Sequence, residues 1–125
     1  MKWPGGKRWV YSITYDEGCR ALLDYTLAIH RKHGVPGHVA LVASQVGVPR
    51  DVPGSSYDRM MILSRDEIAS LRRERWGVSC HSMTHAGVTM GNAASEVVAA
   101  RGVLEDAVGF PVPMFCVPGD NTGYP

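Results

Sequence analysis

Trp9-Val10-Tyr11-Ser12-Ile13-Thr14-Tyr15-Asp16-Glu17-Gly18 passes from an aromatic and β-branched run into two adjacent carboxylates and a glycine. The stretch Trp9 to Thr14 reads as a strand, and the polar stop marks its C-terminal end. Downstream, Leu22, Tyr25 and Ile29 recur at i, i+3 and i+7, with Leu23 and Leu27 widening the stripe. That is a helix, ended by Gly34 and Pro36. His38 to Ala43 is a second apolar run, so strand, helix and strand follow one another as in a parallel βα unit.

The alternation continues. Residues 44–62 carry Gly47, Pro49, Pro53, Gly54, Ser55 and Ser56, a composition that propagates neither helix nor strand and predicts a long surface loop. Ser64 with Glu67 has the spacing of a capping box, and Ile68 and Leu71 supply the apolar face of the helix it starts. Gly77 to Cys80 is a short third strand running into His81. Asn92 is the expected N-cap of a further helix with apolar positions Val97, Ala100, Leu104, Ala107 and Val108, stopped by Gly109. Pro113 to Val117 is the fourth strand candidate. The reading is an α/β chain of about four parallel strands and three helices, with bare sheet edges where it stops.

The 125 residues suffice for one domain. Hydrophobic residues make up 45% and charged residues 20%, which excludes a disordered chain, and a net charge of +1 gives no reason to expect nucleic acid. No apolar run approaches the roughly 20 residues that span a bilayer, so no membrane partner is expected. No apolar segment follows Met1, so a cytoplasmic location is expected, or a secreted one if the N-terminus is incomplete. Three cysteines leave at least one thiol unpaired within the chain, which favours a reducing compartment.

Three clusters fall at the C-terminal ends of strands, where the loops of α/β folds gather their sites. At the first, Asp16 and Glu17 repel unless a cation or proton lies between them, which suggests a metal ligand beside a base. A helix first turn, whose dipole favours acids, explains the same pair. At the second, His81 and His85 stand at i and i+4, a spacing that on one helical turn directs two imidazoles at one point. The third, Phe115-Cys116-Val117-Pro118-Gly119, ends in a turn able to present a backbone N–H. His30, His33 and His38 read as surface or helix-end residues. Tyr57 and Arg59 read as solvated loop residues able to meet a sugar, and Trp3, Trp9 and Trp76 as packing residues.

In this order and at these strand ends, Thr14-Tyr15-Asp16-Glu17-Gly18 resembles the T-F-D-D-G motif of the polysaccharide deacetylase (NodB-homology, carbohydrate esterase family 4) domain. His81-Ser82-Met83-Thr84-His85 matches that family's H-[ST]-x-x-H in full. The lead-in Trp3-Pro4-Gly5-Gly6-Lys7 and the stretch Lys32-His33-Gly34-Val35 are similar too, so the resemblance covers nearly all of residues 1–125.

The resemblance implies the N-terminal part of a distorted (β/α) barrel and metal-dependent hydrolysis of N-acetyl or O-acetyl groups on a carbohydrate. It implies Asp16 as general base, Glu17, His81 and His85 as ligands of a divalent metal, usually zinc, and a backbone N–H near Gly119 for the oxyanion. Three departures accompany it. Glu17 stands where the family has aspartate, Cys116 stands where it has an arginine paired with the catalytic aspartate, and the later barrel strands with the general-acid histidine are absent. A thiol at Cys116 is a possible competing ligand. A second copy or a C-terminal half would complete such a site. A non-catalytic metal- or glycan-binding remnant, or a gene fragment without activity, is the alternative.

Overall fold

The computed structural model describes residues 3–119. Its centre is a parallel three-stranded sheet in the order β1 (Thr14–Tyr15), β2 (His38–Leu41), β3 (Gly77–Cys80), with Thr14 opposite His38 and Val39 opposite Val78. The middle strand is buried on both faces. Val39, Ala40 and Leu41 are fully enclosed, as the unbroken apolar run of a covered parallel strand requires.

Three strands are shorter than the sequence suggests, and β2 ends at Leu41 because the chain turns at Ala43–Gln45. The first begins only at Thr14, and Trp9, Val10 and Tyr11 are exposed. Its partner β2 starts at His38, after Pro36 and Gly37, so the ladder opens with the His38 N–H donating to the Ile13 carbonyl at 2.9 Å. The fourth reduces to a parallel bridge between Cys80 and Phe115. Pro113 and Pro118 bracket that segment, and neither has an N–H to give a ladder. Among the described residues the sheet therefore has three strands, not four.

The first helix is two segments, α1 (Ala21–Tyr25) and α2 (Leu27–His33), broken at Thr26. The break turns α2 so that Leu27 and His30 face inward beside Leu22, while Tyr25 and Ile29 stand in solvent. Gly34 ends it as expected, in the left-handed conformation with φ 64°. α3 (Arg65–Arg73) starts from the anticipated capping box, Ser64 and Glu67 bonding each other's backbone, and buries Ile68 and Leu71. The last helix opens with wide i→i+5 turns over Ala94–Ala99 and becomes regular in α4 (Ala100–Val108), which buries Ala100, Leu104 and Val108. Asn92 is not its N-cap: the side-chain oxygen accepts from the Thr89 N–H at 2.6 Å, in the loop before it. Among the described residues no helix is long and apolar enough to cross a membrane.

The long loop is more ordered than its composition suggests. Antiparallel bridges pair Pro49 with Met61 and Cys19 with Ile62, and the Arg50 N–H donates to the Met60 carbonyl at 2.9 Å. The loop thus folds back as a flap beside the end of β1, with Arg50 buried inside it.

Candidate active site

The acidic pair lies immediately after β1. Glu17 has a φ of 69° and Gly18 a φ of 75°, so the chain leaves the strand through two left-handed residues. Gly18 is required there, because a Cβ would stand 2.3 Å from Leu41 Cδ2. Asp16 is exposed, and Asp16 and Glu17 form part of the wall of a cleft of about 430 Å³ together with Tyr15, Tyr25 and Tyr57.

The histidine motif follows β3 and is not helical. Ser82 and His85 both have positive φ, so 81–85 is a tight loop, and the two rings meet because the chain folds back rather than because a helix turns. Their centroids lie 4.9 Å apart at 66°. His81 is buried, and its Nδ1 lies 3.0 Å from the Cys116 carbonyl. A carbonyl only accepts, so Nδ1 carries a proton, and in the neutral ring that leaves the lone pair on Nε2. His85 Nε2 lies 3.3 Å from Glu17 Oε1, which joins the first and second clusters. Burial, His81 and Arg50 hold His85 below the ordinary histidine range, against the pull of Asp16, so it is neutral at pH 7.

Glu96 holds this loop, and sequence reasoning missed it. It projects from the wide turn before α4 and is 7% exposed. Its carboxylate accepts from the Met83 and Thr84 N–H groups at 3.0 Å each and from the Thr84 hydroxyl at 2.9 Å. Burial opposes its charge, but these bonds and one from the Ser82 hydroxyl outweigh it and keep the carboxyl below its usual range. The Ser82 Oγ also accepts from the His85 N–H at 2.9 Å. The available signal was an acid on the inward side of an apolar helical stripe.

The third cluster comes partly into place. Cys116 gives its carbonyl to His81, and its thiol lies 4.0 Å from Asp16 Oδ1. Burial and the Asp16 charge push that thiol up, so it is protonated at neutral pH. Gly119 is exposed, with φ 79°, and among the described residues makes no hydrogen bond to the cluster.

Two histidines taken for surface residues are not. His30 is buried with Nδ1 donating to the Val35 carbonyl at 2.7 Å, which leaves Nε2 to accept the Tyr15 hydroxyl at 2.8 Å. Trp76 lies against both rings, so this group fixes Tyr15 and with it the entry to Asp16. His38 is half-buried in β2, and burial lowers its pKa.

Comparison with known proteins then decides the family, because the polysaccharide deacetylase family model matches residues 4–122. The chain belongs to the polysaccharide deacetylase family. No curated protein matches it. Among solved structures it is similar to IcaB from Ammonifex degensii, at 16% identity and TM-score 0.71, over 90% of this chain and 52% of that one. It is also similar to the de-N-acetylase from Aggregatibacter actinomycetemcomitans, at 11% identity and TM-score 0.70, over 86% and 53%. The Xyl-CE4 domain of a multidomain xylanase from the hindgut metagenome of Trinervitermes trinervoides aligns at 21% identity and TM-score 0.62, over 90% and 51%. At these identities the likeness is one of fold, and this polysaccharide deacetylase chain spans about half the length of the structures it matches.

The donor types fit a divalent cation: two imidazoles and a carboxylate on rigid strand ends. Their arrangement does not close around one. Among the described residues no three His, Cys, Asp or Glu side chains are gathered tightly enough to hold a metal. Glu17 is instead engaged by the Arg50 guanidinium on one oxygen and by His85 on the other.

Proposed function

We propose that this chain carries the acetyl-hydrolysing site of a carbohydrate deacetylase, acting on an N-acetyl amide or an O-acetyl ester, with a divalent metal, zinc by donor type, as cofactor. The observation that carries the reading is the meeting of the β1 and β3 strand ends, where Glu17 Oε1 and His85 Nε2 come within 3.3 Å beside the exposed Asp16. Membership of the polysaccharide deacetylase family supports it.

His81, His85 and Glu17 would hold the metal, which when bound supplies electrophilic polarisation of the acetyl carbonyl and acidifies water. His81 offers Nε2 because the Cys116 carbonyl fixes its tautomer. His85 is neutral at pH 7 and so needs no deprotonation. Asp16, in the cleft wall, would take the proton of the attacking water, and the Tyr15, Tyr25 and Tyr57 side chains would offer apolar and hydroxyl surface to a sugar ring. The backbone N–H of Gly119 is the proposed oxyanion donor, and a second copy or a C-terminal half the source of the general acid.

Acetate release from N-acetylated and O-acetylated oligosaccharides, with zinc supplied, tests the reading. Release that falls by about 10²-fold or more in Asp16→Asn supports it. No release from either substrate class, or release indifferent to Asp16→Asn, overturns it.

A further inference from the structure

Trp9 to Thr14 has the composition of a strand, yet β2 lies beside it only from Thr14 onward. The N–H groups of Trp9, Val10, Tyr11 and Ser12 are bonded to no other described residue. The Ile13 carbonyl accepts the His38 N–H, so the alternation of a strand turns the backbone groups of Ser12 and Thr14 to the open edge. The same alternation sorts the side chains. Trp9 and Tyr11, 74% and 77% exposed, fall on the side of the half-buried Ile13 and Tyr15, while Val10, Ser12, Thr14 and Asp16 are exposed on the other. An aromatic side against a mostly polar one is the pattern of an antiparallel strand with one wet face, unlike the unbroken apolar run of β2. Neither proline nor lysine, the usual blunting residues of an edge, occurs between Trp9 and Tyr15.

We infer that the open edge of β1 docks a second copy of this chain, the two Trp9 to Tyr15 segments pairing antiparallel about a two-fold axis at Ser12. Charge selects both the occupant and the register. Arg8 and Asp16 stand at equal separations either side of Ser12, and both are exposed. Antiparallel pairing centred there sets Arg8 of each copy opposite Asp16 of the other, twice by symmetry. Centring on Tyr11 or on Ile13 sets Asp16 against Gly6 or Val10 instead, with no cation opposite it. In the Ser12 register the two Ser12 residues exchange N–H to C=O bonds, and Val10 exchanges them with Thr14, all through groups that face the open edge. On the aromatic side Trp9 meets Tyr15 and Tyr11 meets Ile13, pairs of the kind that stabilise sheets. The contact is isologous, so it closes at two copies. The pairing does not depend on the acetyl-hydrolysing reading, but it brings Arg8 of a second copy to the cleft wall beside Asp16.

Sedimentation of the full chain across the micromolar range tests this on wild type, Arg8→Glu, Asp16→Arg and the double variant, each checked for folding by circular dichroism. A wild-type dimer is expected, with affinity about tenfold lower or more in each single variant, because like charges then face one another at two places. The double variant restores opposite charges with their signs exchanged and is expected to recover the dimer. A wild-type monomer throughout that range leaves the edge to some other stretch of protein and overturns the inference. Association that runs past the dimer, a dimer indifferent to both single changes, or a folded double variant no tighter than the single ones also overturns it. Hydrogen exchange of the wild type needs no variant. Concentrating the protein is expected to slow exchange at the Val10, Ser12 and Thr14 amides and to leave the Tyr11 amide fast, whereas equal behaviour of Ser12 and Tyr11 overturns the pairing.

Discussion

Replacing Glu96 by alanine removes the group that shapes the histidine loop. Four bonds are lost, from the Met83 N–H, the Thr84 N–H, the Thr84 hydroxyl and the Ser82 hydroxyl. Hydrogen bonds to a charged acceptor contribute about 1.5–3 kcal/mol each, and one that leaves a buried donor unmade costs a similar amount. The four share one carboxylate and one loop, so they do not add in full, and Thr84 is exposed enough for water to take its place in part. The expected loss is about 3–4 kcal/mol, which in a domain of this size lowers the melting temperature by roughly 10–25 °C. Glu96→Gln keeps the shape and one acceptor oxygen and is expected to lose about 1–2 kcal/mol, the share owed to charge.

The pH dependence of that difference follows from the shift. Glu96 is held below its ordinary value, so its contribution is complete above about pH 4.5 and is lost as pH falls through the lower folded value. Urea unfolding of wild type, Glu96→Ala and Glu96→Gln at pH 7 and in a series down to pH 3 measures both. A Glu96→Ala protein within 1 kcal/mol of wild type at pH 7 would refute the assignment of Glu96 as the loop's anchor.

Two further outcomes are expected. Gly18→Ala places a Cβ 2.3 Å from Leu41 Cδ2 at a φ of 75°, and left-handed strain with overpacking should cost about 2–5 kcal/mol in urea unfolding; a loss below 1 kcal/mol would mean the β1 exit is not so constrained. His85 and His38 both have lowered folded values, so the unfolded chain takes up their protons first as pH falls below about 6.5. Stability of the metal-free protein should therefore decline between pH 7 and 5.5, before any carboxylate titrates, and a flat urea midpoint across that interval would contradict the burial of these rings.

What was legible in the sequence was whatever local chemistry determines. The Ser64–Glu67 capping box, the Gly34 and Gly109 helix stops and the start of the central strand at His38 each depend on a few adjacent residues, and each stands as read. The misreadings depend on partners distant in sequence. Trp9 to Ile13 has strand composition but no facing strand, because β2 begins only at His38. Tyr25 and Ile29 fit the helical stripe, but α1 buries Leu22 and α2, after the break at Thr26, buries Leu27 and His30, which leaves both in solvent. In the site, residue types at strand ends named Asp16, Glu17, His81 and His85, but not what surrounds them. The buried Arg50 lies in a loop whose Gly and Pro content disguises its pairing, and Glu96 acts across 13 residues on a loop whose conformation no period foretells.

Metal content after exhaustive dialysis against zinc is the most direct test of the central claim, measured on wild type, His81→Ala and His85→Ala by mass spectrometry of the ashed protein. The account predicts about one zinc per wild-type chain and loss of that zinc in both folded variants. Zinc at background in the wild type, or zinc retained in both variants, would contradict it.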